Sequence, residues 1–236
     1  MASLIETHFN RVFPARDYEL PLPVRVMRLR MEAMMRLFVE FEAGIRDRTP
    51  IETEYTFGTP QDPLRLQLPG GHVLLRGRFD RIDRCAGGDL SYHVIDYKRG
   101  GVITSFQPSL KGHNLQMPLY IVASSHLYGV PPDAVRGGFY SFRYGQMKDI
   151  DPGASTQFGD WAYFLGIAPE PNHGCKAYDE DTQPKRLTEL IEELIAQARQ
   201  GYFPVEGRNG AKVPDLANLV GRWLEVPPEF ESESGE

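Results

Sequence analysis

Cysteine is scarce: the 236 residues contain two, Cys85 and Cys175. Neither has the neighbouring cysteine that a zinc site shows, and nothing points to secretion, so free thiols are expected rather than a bridge. No apolar run approaches the roughly 18 to 20 residues of a membrane span, and the first residues lack a charged segment followed by an apolar one. The expectation is a soluble, cytoplasmic protein with no membrane association. Positive charge is also short overall, and a formal net charge of −6 argues against coating nucleic acid by bulk electrostatics. No internal repeat is visible, and the one biased tract is the terminal Glu229, Glu231, Glu233 and Glu236. That tail reads as solvated chain or as a fender against non-specific DNA contact.

What is present suits a globular core. An apolar fraction of 41% over this length predicts a single domain, 1–236. Its expected parts are N-terminal helices over 1–50, a core over 51–144 and an irregular insertion over 145–182. C-terminal helices over 183–225 and the acidic tail, 226–236, complete it. Ser3 with Glu6 three residues on caps a short amphipathic helix. A longer helix runs from Pro21 or Pro23 to about Arg46, with Met27, Met31, Met34, Met35, Phe38 and Phe41 as a core stripe. IETEYTF alternates as a half-buried strand. FGTPQDPLRLQLPGG carries turn residues and reads as a loop. HVLLRGRFDRIDRC and LSYHVIDYK read as two strands joined by a hairpin turn at Ala86 to Asp89. A helix follows from about Asn114 to Tyr128, with Leu115, Leu119 and Val122 as its apolar stripe, and then a strand over AVRGGFYSFRYG. Strand, strand, helix, strand makes an α/β core. The 145–182 region surrounds a short strand, WAYFLGI, and is either an insertion shaping a substrate channel or a plain surface loop. Leu187, Leu190, Ile191 and Leu194 line a helix from Thr182 to Gly201.

The central stretch, Gly77 to Tyr120, carries the chemistry. Period-two geometry sends Asp96 and Lys98 to one face of their strand, and the hairpin brings Asp80 alongside. Gln116 and Tyr120, spaced i and i+4, share a helix face. Between Arg76 and Lys111 seven basic side chains meet four acids, so this segment is locally positive. Phosphodiester hydrolysis at neutral pH needs an activated water and neutralised phosphoryl oxygens, which divalent cations on hard oxygen ligands provide. Asp80 and Asp96 suit Mg2+ or Mn2+, with the Tyr97 carbonyl as a third ligand. Lys98 suits charge stabilisation or orientation of the water. Arg78, Arg81, Arg99 and Lys111 are the candidates to neutralise nucleic-acid phosphates. A lone Asp-x-Lys is more often a surface salt bridge, but a buried Val-Ile run ending in two charged side chains asks for a reason. Asp83 reads as a partner of Arg81 or Arg84 rather than a ligand.

GRFDRID, VIDYKRGG and QMPLY in this order and spacing resemble the PD-(D/E)XK nuclease superfamily, and within it the RecB-like group that includes the nuclease domain of AddB-type helicase-nucleases. The resemblance runs from about Glu52 to Tyr128, and GYFPV near residue 201 is similar to the segment after the group's last core helix. It implies a restriction-endonuclease-like fold, a central mixed β-sheet flanked by helices. It also implies Asp80, Asp96 and Lys98 as the catalytic set and Gln116 and Tyr120 as the accessory motif. Many AddB-type domains hold an iron-sulfur cluster on four cysteines. Here GRNGAKVPDLANLVGRW has none, so no cluster is expected, and Leu216, Leu219 and Trp223 are expected to close that end by packing. RecB-like members often present an upstream histidine to the metal, and His8 is the upstream candidate; Glu52 or Glu54 are substitutes, although solvent-facing strand glutamates are the plainer reading.

The leading expectation is therefore a metal-dependent DNA nuclease acting on ends or single strands in repair or recombination, its helicase partner on another chain. The competing expectation is a non-catalytic DNA-binding or scaffolding module that kept the fold.

Overall fold

The computed structural model describes residues 6–7, 10–12, 21–87, 89–100, 107–110, 112, 114–150, 160–175, 178 and 183–201. Ser3, His8, Lys111, the YFPV that follows Gly201, Leu216, Leu219, Trp223 and the acidic tail lie outside the described residues. The chain groups into two compact units, Met1–Glu192 and Glu193–Glu236, and the site lies in the first.

Helix α1 (Leu22–Gly44) opens with proline at its first positions, where a missing N–H costs nothing. Strands β1 (Arg48–Phe57), β2 (Leu64–Leu68), β3 (Gly71–Leu75), β4 (Gly77–Cys85) and β5 (Tyr92–Lys98) follow. After them come α2 (Gln107–Leu110), α3 (Gln116–Tyr128), β6 (Val135–Ser141), β7 (Gln146–Ile150), α4 (Trp161–Phe164) and α5 (Leu187–Arg199). Five strands form one sheet in the order β1-β4-β5-β6-β7, and β2 and β3 form a separate hairpin. The β5–β6 pair is parallel and its neighbours are antiparallel, so the sheet is mixed. A parallel pair needs a long crossover, and α3 supplies it.

Helices cover both faces. On one, Gly137 lets α3 approach: a Cβ there would lie 2.6 Å from the Met117 sulfur and 3.2 Å from Ile121 Cδ1. On the other, the Phe38 ring of α1 sits 5.7 Å from Tyr97, 5.2 Å from Tyr140 and 5.4 Å from Phe142, with Phe41 4.9 Å from Tyr140. With both faces covered, β5 is buried from Tyr92 to Asp96 and reads as a continuous apolar run broken only by what it must carry.

Several local expectations are corrected. Leu64, Leu66 and Leu68 are buried in alternation, so LRLQL is strand β2, not loop; the prolines on its flank hid a period of two over five residues. HVLLRGRFDRIDRC is two strands, split at Arg76, because β3 pairs with β2 whereas β4 pairs with β1. The 145–182 region is not irregular throughout: Gln146–Ile150 is edge strand β7 on β6. WAYF is a helical turn, not a strand, because the Asp160 carboxylate caps it by accepting from the Tyr163 N–H at 3.2 Å. The stripe of α3 is Met117, Ile121 and Ser124 rather than Leu115, Leu119 and Val122; a helix apolar on most sides does not announce its inner face. The α1 stripe is half-buried rather than core: Met27, Met34, Met35, Phe38 and Phe41 are intermediate, and Met31 is 43% exposed.

Candidate active site

Asp96 and Lys98 stand two apart near the end of β5, level with Phe139 and Ser141 of β6. Both point towards the first turn of α3. Lys98 Nζ lies 2.7 Å from Asp96 Oδ2 and donates to Gln116 Oε1 at 2.7 Å. The amide of the same glutamine donates to Asp96 Oδ1 at 2.6 Å and to the Tyr120 hydroxyl at 3.1 Å. Tyr120 in turn donates to the Arg78 carbonyl at 2.7 Å, tying α3 to β4. The i, i+4 spacing and the strand period thus meet in one continuous network, with Gln116 using its acceptor and both amide protons.

Asp80 reaches this network from β4. The β1–β4 ladder passes from Thr53–Arg81 to Tyr55–Phe79 without a Glu54–Asp80 pair, and Glu54 has the left-handed φ of 52°. The β4–β5 ladder ends at Arg81–Ile95. Phe79 and Arg81 touch opposite helices, Phe79 packing 5.1 Å from the Tyr120 ring of α3 and Arg81 pairing with Glu42 of α1. Between them the Asp80 carboxylate accepts from the Tyr97 backbone N–H at 2.8 Å. The register is the same on both sides of Glu54, and the shift in this ladder falls between Pro50 and Glu52. The Phe142 N–H donates to the Lys98 carbonyl at 3.0 Å, so Lys98 turns its backbone groups to β6. Tyr97, one residue earlier, turns its N–H and carbonyl to the Asp80 side.

The electrostatics are those of an acidic, partly dried corner. Burial pushes the Asp96 carboxyl up from its ordinary range; Lys98 opposes this and nearby Asp80 adds to it. Burial also raises the Tyr120 phenol. Asp96 is 3% exposed, and its buried Oδ2 has Lys98 as an ion-pair neighbour but no aligned hydrogen bond. An acceptor of that kind, beside a second carboxylate, fits a hard cation. Among the described residues no three His, Cys, Asp or Glu side chains converge, so such a cation would be held by Asp80 and Asp96 with backbone or water oxygens. Mg2+ commonly binds through one or two carboxylates and keeps several waters.

The expected phosphate contacts divide. Arg78 and Arg99 are exposed, Arg78 pairing with Glu54 at 3.1 Å. Arg81 is a correction: it is 5% exposed and forks onto Asp83 at 2.5 and 2.7 Å. It also pairs with Glu42 at 2.8 Å and donates to the Tyr97 hydroxyl at 3.2 Å. Burial alone would lower the guanidinium, but these bonds outweigh it and hold it above its ordinary value. Arg81 therefore braces the strand from behind instead of facing a phosphate. Asp83 is an ion-pair partner, as its setting among arginines suggested, and Arg48 joins it at 3.1 Å.

Glu42 and the Tyr97 side chain escaped the reading of the sequence. They grip Arg81 directly behind the backbone N–H that holds Asp80. A signal existed: Glu42 follows Phe38 by four residues, placing a charge on the core side of α1.

A family model described as the PD-(D/E)XK nuclease superfamily matches residues 1–210. Three similar curated proteins are each named as a subunit of an ATP-dependent helicase/deoxyribonuclease. That of Symbiobacterium thermophilum is 41% identical over 80 residues, 31% of this chain and 7% of the relative. That of Carboxydothermus hydrogenoformans is 32% identical over 124 residues, 47% of this chain and 11% of the relative. That of Desulfitobacterium hafniense is 38% identical over 80 residues, 32% of this chain and 6% of the relative. The matches thus span about a tenth or less of the relatives' length.

Proposed function

The chain belongs to the PD-(D/E)XK nuclease superfamily, and from that premise we propose that it is a metal-dependent DNA nuclease using Asp80, Asp96 and Lys98, with Gln116 and Tyr120 in support. The observation that carries the reading is the ring of two hydrogen bonds and one ion pair formed by Asp96, Gln116 and Lys98 beside the tethered Asp80 carboxylate. A resident divalent cation would supply charge neutralisation at the phosphoryl oxygens and a more acidic attacking water. Asp80 and Asp96 would hold it, with the Tyr97 carbonyl as further ligand.

Within that arrangement Lys98 keeps its ammonium where negative charge grows at the phosphorus and orients the water. Gln116 fixes the ammonium and the carboxylate at one spacing, so neither has to reorganise during reaction. Tyr120 holds Gln116 through one hydrogen bond and β4 through another. Exposed Arg78 and Arg99 would contact phosphates on either side of the scissile bond. Mg2+ or Mn2+ serves as the cofactor, without an iron-sulfur cluster. The names of the relatives support DNA as substrate and a helicase as partner; repair or recombination in the cytoplasm is the setting this reading proposes. Among the described residues no helix is long and apolar enough to cross a membrane.

The deciding experiment incubates the protein with Mg2+ or Mn2+ and end-labelled linear or closed circular DNA. Loss of linear DNA alone, abolished by Asp96→Ala and by Lys98→Ala, is the expected result and assigns action on ends. Equal cleavage by those variants would overturn the site assignment. A non-cleaving protein that also takes up no Mn2+ in calorimetry would instead be the scaffolding module.

A further inference from the structure

We propose that the turn joining β6 to β7 is a stacking platform for unpaired nucleic acid, with Tyr144 receiving a base and Arg143 a neighbouring phosphate. The proposal rests on the nuclease reading and names where a single strand lies as it passes the site.

Three observations carry it. Tyr144 is 51% exposed, and it is the one exposed Phe, Trp or Tyr side chain among the described residues. An exposed aromatic ring on a turn offers a face on which an unpaired base can stack. The Arg143 guanidinium lies 5.4 Å over that ring, and Arg143 is also exposed. A π face for a base, with a cation on the opposite side of the ring for a phosphate, is the pair of elements that binds single strands without reading sequence.

The second observation is place. Ser141 ends β6 level with Lys98 of β5, and those two strands are parallel. The turn therefore emerges from the carboxyl end of the strand next to the proposed catalytic lysine, where ligands of open α/β sheets bind. Neighbouring strands lie about 4.8 Å apart, and a four-residue turn keeps its ends within about 7 Å. Tyr144 thus starts within about 12 Å of the Lys98 backbone. Exposed Arg99 follows Lys98 at the same end.

The third is rigidity. The Phe142 N–H donates to the Lys98 carbonyl at 3.0 Å, and the Ser141 hydroxyl donates to the Gly100 carbonyl at 2.7 Å. Tyr144 and Gly145 N–H groups both donate to the Ser141 carbonyl, at 3.3 and 2.8 Å, with Gly145 at φ 62°. The platform is therefore fastened to the strand that carries Asp96 and Lys98, and little ordering cost remains to be met on binding.

The test measures fluorescence anisotropy of a labelled oligothymidine with the full chain in the Lys98→Ala background, so that binding is read without cleavage. Tyr144→Ala should weaken binding roughly tenfold with an unchanged salt slope, while Tyr144→Phe keeps the affinity. Arg143→Ala should lower the slope of log affinity against log salt by about one phosphate contact. A blunt duplex should show a smaller effect of Tyr144→Ala than the single strand. If Tyr144→Ala binds the oligonucleotide as tightly as its parent, the platform is overturned while the nuclease reading stands. If the Lys98→Ala parent itself binds no DNA, the nuclease reading falls and the platform with it.

Discussion

Two charge clusters, one buried and one partly so, lie back to back on strands β4 and β5, and they are built to opposite ends. Behind the sheet, against α1, Glu42 and Asp83 face Arg48 and Arg81, two acids against two guanidinium groups, with Asp83 gripped from both sides. In front, against α3, Asp96 pairs with the Lys98 ammonium, Asp80 is held by the Tyr97 N–H, and Asp96 Oδ2 lacks an aligned donor. The rear cluster is closed and holds strands. The front cluster is left one positive charge short, which is what a cation site requires, and Asp96 carries the strain as a carboxyl pushed upward by burial.

The largest effect should come from breaking the front. Asp96→Ala or Lys98→Ala should lower metal-dependent cleavage by about three orders of magnitude or more. Asp96→Asn should abolish cleavage while raising the melting temperature, because a costly buried charge is removed. A fall in melting temperature would mean that the front cluster is structural after all.

Breaking the rear should do the reverse. Asp83→Ala leaves two buried guanidinium groups without their carboxylate and should cost about 3 to 5 kcal/mol in urea unfolding. A loss under about 1 kcal/mol would show that water reaches the cluster. Next in size, Gln116→Ala should cut cleavage about 10- to 100-fold, as loss of a residue that orients ligands does. Stability should change little.

The front cluster and the edge strand should also differ in the sign of their pH dependence. Asp96 has a raised carboxyl, so its contribution to stability is present below its unfolded value and is lost as pH rises through the folded one. Mn2+ competes with that proton, and its affinity should rise over the same window. On edge strand β7, burial likewise pushes Asp149 upward, but His93 at 3.1 Å, with Arg48 and Arg136, outweighs it and holds the carboxyl below its ordinary range. Its contribution is present above the unfolded value and is lost as pH falls through the folded one. Melts of Asp96→Asn and Asp149→Asn across acid pH should diverge from wild type in opposite directions. The smallest effect belongs to Arg78→Ala, whose exposed pair with Glu54 is worth at most about 1 kcal/mol of stability.

Legibility followed the range of the physics. Asp96 with Lys98, and Gln116 with Tyr120, were readable because strand and helix periods act over two and four residues. So were the long α1 and the hairpin between β4 and β5, whereas the mixed sheet was implied by the family resemblance. Strand β2 was missed because prolines flank it, and edge strand β7 because only its pairing with β6 gives it order. Arg81 was misassigned because its position in the chain does not say which helix will cover it.

The sequence by itself determined the order of the acidic and basic groups and the face that each neighbouring pair shares, since backbone geometry sets both locally. Only the tertiary structure decided which cluster is closed and which is left short of charge. That depends on Glu42 arriving from α1 to complete Arg81, and on the Tyr97 N–H of β5 meeting the Asp80 carboxylate of β4. Both are meetings between groups far apart in the chain, and their free energy exists only once the sheet has brought them together.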